Sequence, residues 1–140
     1  MPVFPGKEWL EAYAERINRS RTYAESAATW EADVTFVVEA EPSLGIPDTI
    51  YSWLDLWHGK CRAARYDVPP GEGENAQFLI RCPYSRWKQV IRRELDPIRA
   101  MMQGKLKLTG DMRMVVAHVK AADELVKIAG EVPTTFLDEP

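Results

Sequence analysis

Ala100-Met101-Met102-Gln103-Gly104-Lys105-Leu106-Lys107-Leu108-Thr109-Gly110-Asp111-Met112 is the stretch on which the reading of this chain turns. The apolar residues before Gly104 fit the end of a helix. Gly104 is placed to stop it, because glycine takes up the left-handed closing conformation without a Cβ penalty. Lys105 to Thr109 alternates polar and apolar side chains with a period of two, the mark of a strand with one buried face. Gly110 closes that strand, and the Asp111 carboxylate is placed to accept the free amides that open a helix. Beyond it, Met112, Val115, Val116, Val119, Ala122, Val126 and Ala129 recur at helical steps. One continuous final helix is therefore expected, ending at Gly130 and Pro133.

Upstream, Tyr84, Trp87, Ile91, Leu95, Ile98 and Met102 form a second helical stripe. Asp96-Pro97 interrupts it as an N-cap followed by proline at the first helical position, so two successive helices are expected. Ala76 to Cys82 reads as a strand before them. Trp30 to Val38 alternates Trp30, Ala32, Val34, Phe36 and Val38 against Glu31, Asp33, Thr35 and Val37, a half-buried strand. Thr49 to Trp57 and Lys60 to Tyr66 read as two more strands, with His58-Gly59 as their hairpin turn. Pro69 to Asn75, rich in proline and glycine, reads as an exposed loop. Lys7 to Asn18 places Trp9, Leu10, Tyr13 and Ile17 on one helical face, and a shorter helix fits Thr22 to Thr29. No repeat or linker divides the chain, so residues 1–140 are read as a single domain. The fold class is α+β: a five-stranded, mostly antiparallel sheet with helices packed on one face.

A net charge of -3 and a pI near 5.5 argue against a nucleic-acid partner. The basic cluster Arg86, Lys88, Arg92 and Arg93 reads as the wet face of a helix. No apolar run reaches membrane-span length and no secretory signal precedes the fold, so a cytoplasmic protein without stable membrane insertion is expected. Cys61 and Cys82 are then reduced thiols, to be paired only if they lie on neighbouring strands. There is no zinc-ligand spacing, nucleophile elbow or phosphate-binding glycine loop, so no metal, cofactor or catalytic residue is expected.

The segment from Ala100 to Met112 resembles the signature of sterol carrier protein 2 domains: a helix ending in Gln-Gly, an alternating strand, and a Gly-Asp pair opening the last helix. Trp53-Leu54-Asp55-Leu56-Trp57-His58-Gly59-Lys60 is similar to the family's hairpin. The likeness runs from Trp9 to Ala129. It implies a helix-covered sheet face enclosing an apolar tunnel for acyl chains or similar lipids, with no cofactor. The loop from Val68 to Asn75 departs from the pattern, which predicts a different cavity mouth there. The C-terminal Leu137 to Pro140 is not a peroxisomal address.

Trp87, Ile91, Met101, Met102, Gln103, Met112 and Val116 are the expected lining of that cavity. The methionines suit a wall that fits varied ligands, though methionines also fill ordinary core gaps. The Gln103 amide is the expected partner of a ligand head group, or else bonds a local carbonyl. Two other readings stay open. Asp55, between Trp53 and Trp57 on one strand face, has the setting of a raised-pKa general acid in a small pocketed enzyme. The same face, with Trp30, Trp53 and Trp57, has the aromatic character of a homodimer contact, and is expected to be covered by a second copy or by a helix.

Overall fold

A computed structural model describes residues 1–140. A nine-residue strand, β2 (Glu31–Glu39), lies at the centre of a five-stranded sheet. It pairs antiparallel with β3 (Ile50–Trp57), which pairs antiparallel with β4 (Lys60–Arg65). On its other side β2 pairs parallel with β5 (Phe78–Pro83), and β6 (Lys107–Thr109) pairs antiparallel with β5 at the edge. One pairing of four is thus parallel, in keeping with the mostly antiparallel expectation. The fifth strand is shorter than its alternation suggests, because Lys105 and Leu106 bond back to the Ala100 carbonyl and not to β5.

The helices α1 (Lys7–Arg19), α2 (Arg21–Ser26), α4 (Tyr84–Ile91), α5 (Pro97–Met102), α6 (Met112–Ala117) and α7 (Val119–Glu131) pack with the sheet face that carries Val34, Leu54, Leu56 and Phe78. Asp96 caps α5 by accepting from Ile98 (3.0 Å) and Arg99 (3.3 Å), and Asp111 caps α6 by accepting from Arg113 (2.9 Å), as the sequence predicts. Asn18 at the end of α1 pairs its amide with the Cys61 backbone (2.9 and 2.7 Å) and so covers part of the β4 edge.

Three readings are corrected. The final helix is broken: His118 Nδ1 donates to the Met114 carbonyl (3.0 Å), the acceptor its own backbone amide would use in an α-helix, while that amide turns to Val115 (3.1 Å). Val115 and Ala121, on either side of the break, are buried, while Val116 and Val119 face outward. The Pro69–Asn75 loop contains a helical turn, α3 (Pro70–Gly73), and lies over the opposite sheet face. There Tyr51, Val68, Val37 and Leu79 form a small second core, and buried Thr35 donates to the Gly73 carbonyl (2.7 Å). Two short strands went unread: β1 (Val3–Phe4) pairs parallel with β7 (Thr135–Phe136), tying the ends together. Cys61 on β4 and Cys82 on β5 are free and buried, with β3 and β2 between them. Three inter-strand steps, about 14 Å, are beyond a disulfide's reach. Burial pushes the two thiols up to about 11 and about 12.

The β3–β4 hairpin turns through His58 (φ 48°) and Gly59 (φ 78°), the left-handed pair that a two-residue hairpin favours. A Cβ on Gly59 would meet the Ala24 backbone at 2.6 and 2.7 Å. Gly59→Ala is therefore expected to destabilise the fold by about 2–4 kcal/mol, read as a lowered denaturation midpoint. The same change at Gly71, with open space around it, should leave the midpoint nearly unmoved.

Candidate functional site: an apolar cavity between sheet and helices

The helices do not settle fully onto the sheet. Between them lies a cavity of about 110 Å³, seventeen of whose twenty-one lining residues are hydrophobic. Trp9, Leu10 and Tyr13 of α1 form one wall, and Trp87, Val90 and Ile91 of α4 form another. The floor is the sheet, through Phe36, Val38, Ser52 and Ile80, and the roof is α7, through Ala122, Leu125, Val126 and Ala129. Large rings hold this space open. The Trp87 indole is fixed by donating to the Val37 carbonyl (2.9 Å) and meets Phe36 edge-on, with centroids 5.4 Å apart. Tyr13 donates to the Leu125 carbonyl (2.9 Å), and burial holds its phenol well above the usual range.

A second cavity of about 60 Å³ adjoins the first, lined by Tyr23, Trp30, Leu56, Phe78, Leu108, Val115 and His118 among others. Phe36, Ile80, Met101, Ala122 and Leu125 line both. Of these only methionine is long, unbranched and readily repositioned. His118 sits edge-on to Trp30, 5.1 Å between centroids, with Nε2 3.1 Å from the Thr29 hydroxyl. Because Nδ1 donates to a carbonyl, the ring there is the Nδ1–H tautomer when neutral.

One polar side chain interrupts the apolar lining. Ser52 is 8% exposed, borders the first cavity, and has no hydrogen-bonding partner in the protein. Continuing the register that pairs Trp53 with Arg65 sets Tyr66, also a lining residue, across from it. Burial, followed by the Asp67 charge, raises the Tyr66 phenol.

The family signature matches residues 10–123 of the chain: it is that of the SCP-2 sterol transfer family. The chain belongs to that family. A crystal structure of sterol carrier protein 2 is 35% identical, with a TM-score of 0.83, covering 91% of this chain and 97% of its own. The solution structure of a conserved hypothetical protein from Thermus thermophilus is 34% identical, with a TM-score of 0.82, covering 93% and 90%. The apo form of sterol carrier protein 2 from Yarrowia lipolytica, at 19% identity, TM-score 0.58 and coverage of 86% and 88%, shares the fold. A comparison with the curated proteins gives no match.

Of the residues that sequence places in the SCP-2-type cavity, the structure brings Trp87, Ile91 and Met101 to its wall. Met102 is 73% exposed, since a neighbour one step along a helix points about 100° away. Gln103 follows as the exposed C-cap, and its side chain is turned to solvent and not into the cavity. Val116 faces outward on α6 next to buried Val115, and Met112 packs on the core without bordering either cavity. Phe36, Ile80 and Leu125 were missed as site residues; alternation marks the first two as inward, but not as facing a void. Ser52 was missed too, because a serine in a strand carries no signal of its own.

Asp55 and the tryptophans are engaged within the chain. Asp55 is held by Arg62 through Nε (3.0 Å) and Nη2 (3.2 Å), and borders neither of these cavities. The register shift at Asp55/Leu56 brings this about by making Arg62 the extra residue. The same guanidinium stacks over Trp57 at 4.5 Å, and Trp53 donates to Asp33 (2.8 Å). Trp30 is buried on the helix-covered face. No helix is long and apolar enough to cross a membrane.

Phe4, Pro5 and Gly6 also line the first cavity, and the C-terminal residues hold them there. Leu137 N–H donates to the Phe4 carbonyl (3.1 Å), and Asp138 accepts from the Tyr84 hydroxyl (2.5 Å) and Lys88 (3.0 Å). Glu139 meets Lys88 and pairs with Arg92 at 2.9 Å. The Tyr84 hydrogen bond, followed by Lys88, holds the Asp138 carboxyl below its ordinary 3.8. A depressed native pKa stabilises above the unfolded value and loses that stabilisation as pH falls through the native one. The Leu137 amide should therefore stay protected from hydrogen exchange above pH 3.8 and lose protection below it. In Asp138→Asn that acid step should vanish.

Proposed function

We propose that this protein binds an aliphatic lipid, such as a fatty acyl chain, non-covalently in the cavity beneath α7, and carries it without chemical change. The observation that carries the reading is the apolar lining of that space. An unfilled apolar cavity forfeits dispersion contacts on its walls, and comparable cavities in proteins stay free of water and accept apolar guests. Membership of the SCP-2 sterol transfer family supports the same reading. Each buried methylene contributes about 0.8 kcal/mol, roughly fourfold in affinity.

The chain lies first among Trp9, Tyr13, Trp87 and Ile91, with its polar end at Ser52 and Tyr66. A longer chain passes into the second cavity when Met101 swings aside. The ligand's head group therefore meets hydroxyls on the sheet and not the Gln103 amide.

Native mass spectrometry and organic extraction of freshly purified protein should show a bound lipid at one per chain. Met101→Trp should retain short fluorescent fatty acids and reject long ones, whereas Met101→Ala should favour the long ones. Gln103→Ala should bind both as before. A protein that is empty on purification and takes up no acyl probe of any length refutes the reading.

A further inference from the structure

No Lys, Arg, Asp or Glu borders either cavity. The titratable side chains on their walls are Tyr13 and Tyr66 in the first, and Tyr23 and His118 in the second. Two helix starts reach the first cavity, at Gly6 and Pro97, and each already has an acid beside it: Glu8 in the first turn of α1, and Asp96 as the cap of α5. In place of a cation the interior offers hydroxyls. Ser52 is buried and unpartnered, with Phe36 across from it on β2 and Tyr66 on the β4 side. The three phenols report what an anion meets there. Burial is the largest cause that raises each of them above its ordinary value, and at Tyr66 the Asp67 charge adds to it. A carboxylate or phosphate beside Tyr66 faces the same loss of water and the same repulsion, with no cation to offset either.

We propose that the interior accepts its ligand's head group only in uncharged form, at the Ser52 and Tyr66 hydroxyls: an aliphatic alcohol directly, a fatty acid only with its proton. The inference rests on the carrier reading and narrows its ligand class. An alcohol or an undissociated carboxyl both donates and accepts, so it pairs with a serine and a phenol and leaves no charge in an apolar wall. A carboxylate only accepts. The direction of the pH dependence follows. Bound acid keeps its proton at a pH where free acid has lost it, so binding raises its pKa. Affinity is full below the free value, about 4.3 for a carboxyl like that of glutamate, and falls roughly tenfold for each pH unit above it. An alcohol has no such dependence. A carboxylate drawn instead to protonated His118 in the second cavity would also bind better in acid, but would stay ionised.

The experiment follows decanol and decanoic acid, the latter labelled with carbon-13 at its carboxyl, by tryptophan fluorescence and by NMR. The alcohol should bind equally at all pH values. The acid should bind roughly 100-fold more weakly at about pH 7.5 than at about pH 5.5. Its carboxyl resonance in the complex should stand at the protonated position at the lower pH, where the free acid is already ionised. Ser52→Ala and Tyr66→Phe should each weaken the alcohol roughly fivefold. Ser52→Lys, which supplies the missing cation, should remove most of the pH dependence and move the resonance to the ionised position. An ionised carboxyl in the unaltered protein, or an acid held as tightly as the alcohol at the higher pH, overturns the proposal whether or not the lysine variant folds. Uptake of both compounds alike thus refutes this inference alone, whereas a protein that takes up neither at any pH refutes the carrier reading itself.

Discussion

The hydrogen bond from the Trp87 indole to the Val37 carbonyl fixes the spacing on which the interior depends. It reaches from α4 to the central strand and holds a rigid bicyclic ring upright between the two layers. A leucine there would adjust its rotamer and let the helix settle. An anchored indole does not, and Phe36, Trp9 and Tyr13 repeat the effect around it. Aromatic side chains are wide and have few rotamers, so a wall built from them keeps gaps that aliphatic residues would close. The cavity is thus a consequence of packing rigid bodies, and its walls contain few polar atoms.

The rest of the architecture serves that layer separation. The sheet is stiffened by burying β2 on both faces, with α3 and the Tyr51–Val68 cluster covering the side away from the cavity. The ends of the chain close the near side: β1 and β7 pair, and the Asp138 and Glu139 carboxylates tie to Tyr84, Lys88 and Arg92. Lys88 is largely buried along its length and lies over Phe136, so its charge is compensated where water is scarce. At the far side the wall includes the short helices α5 and α6. There the His118 side chain takes the carbonyl that a continuous helix would need, and a six-residue and a thirteen-residue helix stand where one continuous helix was expected.

The same break links the interior to the exterior. Val116 and Val119, on either side of it, lie at the surface although the sequence pattern assigns them to a core stripe. Apolar side chains that a sequence pattern assigns to the core become an external feature.

The sequence alone determined the elements. Alternation in Trp30–Val38, the Asp96-Pro97 cap, the His58-Gly59 turn and the Gly104 to Asp111 punctuation are local preferences that the tertiary structure keeps, and together with the glycine pattern they pointed to the family. The tertiary structure alone decided which apolar residues face a void. Met101 and Met102 are neighbours of the same type, yet one borders both cavities and the other meets solvent. Periodicity reports that a side chain faces inward, but whether it finds a partner there depends on how far apart the layers stand. That distance is set by long-range contacts such as Trp87 to Val37, fifty residues apart, which no local pattern records.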